Sequence, residues 1–213
     1  MQKRKNKNKK MGQYLIIGSF LFLIGLGVIG TKLYINYFIH IKEENAIEEF
    51  FEIKNEDTQD VIVDEPVDEQ VESKKESSYN YIAILEIPRI KLKRGLVAIN
   101  DKNNNVNRNI EIIKGSDMPD IENGNFVLAS HSGYSNISYF RNLNKMQLND
   151  FVHVYYNGEK FNYKITNIYD VEKTGQVSIS KKNNTNTLTL ITCRHNTNKQ
   201  IVIIAELTSK EVY

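Results

Sequence analysis

The sequence predicts an all-β domain, a closed or nearly closed β-barrel with short helical turns, preceded by one N-terminal transmembrane helix. An uncharged apolar run at 14–30 is close to the ~20 residues that a tilted helix needs to cross a bilayer. From Tyr79 onward, short β-branched and aromatic runs recur between turn residues, with little helical periodicity. Many short strands at close spacing favour a barrel over a helical or mixed fold.

The N-terminus predicts a signal anchor that stays uncleaved. Residues 1–13 are strongly basic, and basic flanks face the cytoplasm. We therefore expect residues 1–13 to be a cytoplasmic tail and residues 14–38 to form the transmembrane anchor together with its interfacial end. A cleaved signal peptide shares the basic start and apolar core. No small-residue cleavage site follows, however, and the bulky Tyr34, Tyr37 and Phe38 are typical of an interfacial anchor. The rest of the chain is then extracellular.

The next segment, 39–78, predicts an acidic stalk. Its first part, to about Phe51, is expected to continue as a helix because Ile41, Ile47 and Phe50 would line one side. The remainder is acidic with Pro66 at its middle, and it buries too little apolar surface to fold, which predicts a solvated spacer. A calcium site is disfavoured because the acids lack the spacing of loop ligands.

Residues 79–213 have the composition of one globular domain with a single core. Asn157-Gly158 predicts a hairpin turn, and 139–143 a short helical turn. The Asn- and Lys-rich stretches 101–109 and 181–186 predict solvated loops. The expected strands are 81–87, 91–99, 110–113, 125–129, 151–156, 160–169, 187–193 and 201–207.

Charge and cysteine content narrow the possible partners. The formal net charge of +2 combines a basic tail, an acidic stalk and a mildly basic domain. The Asn- and Lys-rich loops lack the interleaved aromatic residues that are typical of nucleic-acid binding, so the sequence does not predict that function. The single cysteine excludes an intramolecular disulfide framework.

That cysteine, Cys193, ends the apolar strand 187–193 and is followed by a polar loop. A lone cysteine often packs as a small hydrophobe, so a structural role is one interpretation. The other is a nucleophile, because a thiol at the end of a strand lies where a substrate can reach it. A nucleophilic thiol needs a base or a cationic partner.

The chain has four histidines, and each is a candidate partner for the thiol. His40 lies near the predicted membrane interface, His153 alternates within a strand, and His195 lies in the loop after the cysteine. His131 directly follows the strand 125–129, so it also lies at a strand exit. A Cys193/His131 site at two strand ends is the resulting hypothesis.

These residues resemble the sortase family, the cysteine transpeptidases of Gram-positive bacteria. Residues 189–193, Thr-Leu-Ile-Thr-Cys, resemble the family's Thr-Leu-x-Thr-Cys motif. Residues 128–134, Leu-Ala-Ser-His-Ser-Gly-Tyr, with Phe140 following, resemble its histidine segment. The resemblance covers about 79–207 and implies an eight-stranded barrel. The loop at 181–186 would then form one wall of a substrate groove.

The resemblance also implies a reaction and its partners. Cys193 would attack a backbone carbonyl in an LPxTG-like sorting signal of a secreted surface protein, giving a thioacyl intermediate. His131 would protonate the leaving amine and deprotonate the incoming one. The acceptor would be an amine of a cell-wall precursor or of a pilin. This chemistry needs no metal, ATP or other cofactor.

The sequence departs from the family pattern at one position. Sortases carry an arginine just before the apolar run of the strand after the cysteine, where this chain has Gln200. A glutamine donates to an oxyanion without charge, and charge-assisted hydrogen bonds are roughly twice as strong. Gln200 is therefore the first candidate for this role, followed by Lys199 or Arg194 if the loop between the two strands rearranges. Lys199, Arg194 and Thr192 are candidate substrate-binding residues.

Two other functions remain open from the sequence. A weak or inactive sortase-like domain that only binds a surface peptide or partner is compatible with Gln200 but gives no reason to keep both Cys193 and His131. A papain-type peptidase requires its cysteine at a helix N-terminus, and this one ends a predicted strand.

Overall fold

The computed structural model describes residues 2–56, 80–173 and 184–213. The acidic spacer predicted beyond residue 56 and residues 181–183 of the predicted groove-wall loop lie outside the described residues. The chain contacts divide into two compact units, Met1–Glu44 and Asn45–Tyr213. The predicted division into tail, anchor, stalk and barrel stays a prediction.

One long helix, α1, runs from Gln2 to Glu56. Within it, Ile16–Glu52 contains an apolar window of mean hydropathy 2.0 whose residues are all exposed. A helix of this length and composition can cross a bilayer. The aromatic end of the predicted span carries a Tyr34–Phe38 ring stack, and Lys42 lies 4.8 Å above the Phe38 ring. These amphipathic groups are typical of a membrane interface.

The second unit is an eight-stranded, nearly closed β-barrel, as predicted. The strands are β1 Tyr81–Ile87, β2 Leu92–Val97, β3 Glu111–Ile112, β4 Asn125–Ala129, β5 Phe151–Tyr156, β6 Glu159–Glu172, β7 Thr187–Cys193 and β8 Lys199–Val212. They form one sheet in the order β2-β1-β5-β6-β8-β7-β4-β3.

The two end strands of the sheet, β2 and β3, contact each other through a buried polar link. Arg94 Nε donates to Asn109 Oδ1 at 2.9 Å, and Asn109 Nδ2 donates to the Gly95 carbonyl at 2.9 Å. The Arg94 guanidinium also lies 4.2 Å from the centre of the Tyr139 ring. Because a buried cation is costly without partners, this group fixes the place where the barrel nearly closes.

Turns and strand lengths follow local chemistry. Asn157 and Gly158 adopt positive φ values of 51° and 76°, the geometry of a tight hairpin turn, which confirms the predicted β5–β6 hairpin. A 3₁₀ turn occurs at Leu143–Lys145, just after the predicted position. Strand β8 extends well beyond 201–207 because it pairs with the whole of β6.

Alternation along the strands separates an interior core from two outer apolar clusters. The interior contains fully buried side chains from every part of the sheet, such as Leu85, Phe126, Phe161 and Leu190. One outer cluster receives the end of α1, and the other lies beside Cys193. The first cluster contains Ala46, Ile47, Phe50, Tyr81, Ile84 and Val97, and the second Val127, Ile191 and Val202.

The predicted helical continuation to about Phe51 is therefore observed, and the helix extends to Glu56. Phe50 is 7% exposed, and Phe51 makes edge contacts with the rings of Tyr155 and Tyr213 at 5.1 and 5.2 Å. Burial of aromatic surface is the main source of stability at such contacts. This end of α1 is part of the barrel unit.

Candidate active site

Parallel pairing of β4 with β7 brings the two motif segments together. The register aligns Val127 with Thr189 and Ala129 with Ile191. Beyond the last pair, the Ser130 N–H donates to the Ile191 carbonyl at 3.3 Å, and Thr192 Oγ1 donates to the Ser130 carbonyl at 2.6 Å. The alignment thus persists to residues 130 and 192.

The register ends at Ala129 and Ile191, and His131 and Cys193 each follow two residues later, so both lie at the same end of this strand pair. The Cys193 thiol is free and partly exposed. Alternation along β7 gives Cys193 the same side of the sheet as Ile191, which belongs to the outer apolar cluster. The thiol therefore lies outside the barrel interior, where a polypeptide can approach it.

His131 has a hydrogen-bond partner that the sequence does not reveal. Its Nε2 lies 3.1 Å from Oδ1 of Asn107. An amide oxygen only accepts, so with Asn107 in this orientation Nε2 is the donor, and Nδ1 is the nitrogen left for a reacting group. Asn107 thereby selects the tautomer in which Nδ1 can exchange a proton with a reacting group.

The loop that carries Asn107 is held by amide side chains. Asn104 Nδ2 donates to the carbonyls of Ile99 and Ile112 at 3.1 and 3.0 Å, and its Oδ1 accepts from the Ile112 N–H at 2.8 Å. Asn109 is the buried link between β2 and β3 described above. The prediction of a solvated Asn/Lys-rich loop therefore misses its positioning role, since composition cannot tell an ordered amide network from a hydrated one.

A cavity of about 160 Å³ opens beside Cys193. Its walls come from the histidine segment, from the turn after it and from the strand pair β7–β8. His195, the histidine of the loop after the cysteine, lines it and stacks on Tyr134 with ring centroids 5.1 Å apart. The lining residues are Ser132, Phe140, Arg141, Asn144, Thr192, Cys193, Arg194, His195 and Ile201.

Gln200 lies directly opposite Cys193 in the antiparallel β7–β8 pair. Directly opposed residues of a ladder share one face, so the carboxamide and the thiol are on the same side of the sheet. Val171 of β6 is the neighbour of Gln200 on the other side. Gln200 Oε1 is buried and has no hydrogen-bond partner among the described residues. An unsatisfied buried acceptor is costly, and here it lies next to the candidate nucleophile.

The other predicted residues are placed differently. Lys199 is exposed and pairs in register with Glu172, on the opposite face from Gln200. Arg194 lines the cavity, but its Nε lies 2.6 Å from Asp170 Oδ1. Thr192 is buried, and its hydroxyl donates a hydrogen bond to the Ser130 carbonyl. Thr192 thus holds the two motif segments in register.

Of the remaining histidines, His153 lies on the outside of β5, with Nδ1 2.6 Å from Asn162 Oδ1, and His40 lies on α1. His131 follows β4, the strand that pairs with the cysteine strand β7, and Gln200 is paired directly with Cys193. A thiol, an imidazole and a carboxamide are group types that acyl transfer can use as nucleophile, proton carrier and hydrogen-bond donor.

Comparisons with known proteins identify the family and the fold. A family model described as "Sortase domain" matches residues 85–208. The fold is similar to a lid mutant of sortase A from Corynebacterium diphtheriae, with 22% identity, a TM-score of 0.55 and coverage of 61% of this chain and 71% of that one.

Two further solved structures are similar. Sortase C-1 from Actinomyces oris has 23% identity and a TM-score of 0.55, covering 61% of this chain and 72% of that one. A Clostridium perfringens sortase D5 has 24% identity and a TM-score of 0.52, covering 61% and 80%. The comparison with curated proteins gave no significant match. Since the family model spans more than half of the sequence, the chain belongs to the sortase family.

Proposed function

We propose that this protein is a membrane-anchored cysteine transpeptidase. It cleaves an LPxTG-like sorting signal of a surface protein and transfers the acyl group to an amine of the cell wall or of a pilin. The observation that supports this most is the parallel β4–β7 pairing, because His131 and Cys193 each lie two residues beyond its last pair, in a chain of the sortase family.

The first half-reaction forms a thioester. The Cys193 thiol gives its proton to His131 Nδ1, and the sulfur attacks the carbonyl carbon of the scissile peptide bond. The S–H bond breaks, and the C–S bond forms as the carbonyl π electrons move to oxygen. When the tetrahedral intermediate collapses, the C–N bond breaks and the amine leaves with a proton from His131 Nδ1. Asn107 keeps its hydrogen bond to Nε2 throughout, so the ring orientation is maintained.

The second half-reaction consumes the thioester. The acceptor amine attacks the same carbonyl carbon, His131 takes one proton from its nitrogen, and the thiolate leaves. A new amide replaces the one that was cleaved, so the acyl energy is conserved at one sulfur. Water in place of the amine gives hydrolysis, which the enzyme limits by keeping the thioester in a groove beside an apolar cluster.

Gln200 acts as a neutral substrate clamp. Its amide nitrogen donates to the carbonyl oxygen as negative charge develops there. The loss of charge assistance relative to arginine predicts a slower acylation step.

The anchor places this chemistry at the membrane. With the basic residues 1–13 in the cytoplasm, α1 crosses once and the barrel is extracellular. Secreted substrates then meet Cys193 as they leave the membrane. Sortase C of Streptococcus pneumoniae, whose fold is similar, has been described with respect to its pilin substrate specificity. Both pilin and cell-wall amines are acceptors to be tested here.

A second candidate function follows from Gln200. A sortase-like domain that binds a sorting signal without cleaving it needs no charged oxyanion donor, and Gln200 is neutral. This alternative predicts peptide binding without any covalent adduct.

The test uses the full chain in detergent micelles, incubated with a library of sorting-signal peptides and a panel of primary amines. Intact-protein mass spectrometry should show a thioacyl adduct that maps to Cys193, and peptide products joined to an amine. A folded protein whose thiol reacts with iodoacetamide but never acquires an adduct would support the binding-only function instead.

A further inference from the structure

The structure contains a second groove that shares no lining residue with the Cys193 cavity. It has a volume of about 570 Å³, within the usual range for small-molecule sites. Its walls come from the 3₁₀ turn at Pro88–Ile90, the residues just before β5, and the outward faces of β5, β6 and β8. The proposed transpeptidation does not use it.

The floor of the groove is a chain of polar side chains around Asn162. This residue is only 6% exposed, and its Oδ1 lies 2.6 Å from His153 Nδ1. Its Nδ2 donates to Ser209 Oγ at 3.0 Å and to Glu211 Oε1 at 2.7 Å. The network holds an imidazole, a hydroxyl and a carboxylate in fixed positions. Hydroxyl groups of a ligand, which both donate and accept, match such a mixed set.

One wall of the groove carries two aromatic rings, here called the aromatic shelf. Phe151 and His153 are successive outward residues of β5, and their rings are parallel within 6° with centroids 6.4 Å apart. Phe151 is 47% exposed, so part of its ring is accessible to a ligand. Flat aromatic faces bind the C–H face of a sugar ring, while the hydroxyls at the ring edge remain available for hydrogen bonds.

The charges of the groove are balanced. Arg89 Nε lies 3.2 Å from Asp150 Oδ2, and Lys160 Nζ lies 4.0 Å from Glu211 Oε2. Each cation therefore has an anionic neighbour. A phosphate, a nucleotide or an acidic peptide would have to displace a carboxylate to gain a charge partner. The groove favours a ligand that is polar but uncharged.

We propose that this groove binds a neutral oligosaccharide. A sugar ring stacks on the shelf formed by Phe151 and His153, and its hydroxyl or acetamido groups bond to the floor around Asn162. The site is independent of the chemistry at Cys193. In a membrane-anchored protein it would hold the barrel against a glycan while the thiol acts on a polypeptide.

The test is isothermal titration calorimetry of the full chain in detergent micelles. The probes are the β1,4-linked tetramer of N-acetylglucosamine and, as a sugar of different linkage, maltotetraose. We expect saturable binding of at least one probe. Phe151→Ala should weaken it by about tenfold, as expected for loss of a ring contact, and Glu211→Gln should weaken it by several-fold.

The matched control is Ile121→Ala, which removes another large apolar side chain of similar exposure, 49%, that does not line the groove. It should leave the affinity unchanged, and all three variants should retain the unfolding temperature and the iodoacetamide reactivity of Cys193. Absence of saturable binding by both probes up to their solubility limits, or equal affinity of wild type and Phe151→Ala, would overturn the proposal.

Discussion

Two outer faces of the barrel both carry an apolar cluster, but the residues next to the two clusters differ in chemistry. Over β1 and β2, apolar side chains are covered by the end of α1, where Phe50 is buried. Beside β4 and β7, Val127 and Ile191 form another apolar cluster, but the strands continue into His131 and the partly exposed Cys193. The first face ends in aromatic packing and the second in reactive groups. Substitutions on the two faces should therefore separate stability from chemistry.

The largest effect should come from the reactive face. Cys193→Ala removes the nucleophile from a partly exposed position, so we expect acyl transfer to fall on the order of 10⁴-fold or more and the thioacyl adduct to disappear. Stability should change by no more than about 0.5 kcal/mol. Peptide-transfer assays and thermal melts measure the two quantities. Retained transfer would refute the nucleophile assignment.

Gln200→Ala tests the residue opposite the thiol. Loss of an oxyanion donor slows acylation by roughly ten- to a thousand-fold, and we expect a value in this range from single-turnover kinetics. The matched control is Lys199→Ala, its neighbour on the other face of β8, which should have little effect. If Gln200→Ala leaves the acylation rate unchanged while Lys199→Ala or Arg194→Ala lowers it strongly, the oxyanion donor is one of those two cations instead.

The covered face should respond in stability. Phe50→Ala removes a side chain that is 7% exposed, and large-to-small core substitutions of this kind cost about 3 kcal/mol. We expect a lower unfolding temperature of the barrel and unchanged transfer rates per folded molecule. Glu48→Ala, exposed on the same helix, is the control and should change stability by less than about 0.5 kcal/mol. Equal effects of both variants would mean that the helix end does not support the barrel.

Asn107→Ala should have a smaller effect on the reactive face. It removes the acceptor that orients His131, so the ring can adopt the other tautomer. We expect transfer to slow by about tenfold, at the lower end of what general acid–base catalysis contributes. Lys102→Ala, an exposed change in the same loop, should leave the rate unaltered. If the two variants behave alike, the hydrogen bond does not position the imidazole.

These two faces also differ in how far the sequence predicts them. The sequence predicts that His131 and Cys193 each follow an apolar strand, and the structure pairs those two strands in parallel. Asn107 escapes prediction because its role depends on where a loop between β2 and β3 lies, and its amide neighbours look like ordinary solvated residues. The partner of a polar loop residue depends on tertiary contacts that no local pattern encodes.

The same reasoning applies to the other candidates. The sequence predicts that Arg194 serves the substrate, but it cannot show that Asp170, on a different strand, lies 2.6 Å away. The apolar spacing of Ile47 and Phe50 predicts a helix, because periodicity is local. It does not predict what the helix packs on, because Tyr81 and Ile84 come after a long acidic segment. Local geometry is readable in the sequence, whereas the choice of partner requires the fold.

The smallest effect should appear at high pH on the covered face. Burial raises the pKa of Tyr213 to about 12, and burial followed by a hydrogen bond to Glu86 raises the pKa of Tyr155 as well. The folded state therefore holds these protons above pH 10, where the unfolded chain begins to lose them. Their contribution to stability is complete below pH 10 and is lost as pH rises through the folded pKa values. The free energy of unfolding should decline over this interval.

Tyr213→Phe isolates one of these protons, because the ring contacts with Phe51 and Tyr155 survive the change. We expect the free energy of unfolding at pH 7 to remain close to that of the wild type. Between pH 10 and 12 it should decline less steeply with pH, by a difference that corresponds to at most one bound proton. Denaturant melts at several pH values measure the slope. An unchanged slope would mean that the Tyr213 hydroxyl on the covered face is accessible to water. The contrast between the covered face and the reactive face would then rest on Phe50 alone.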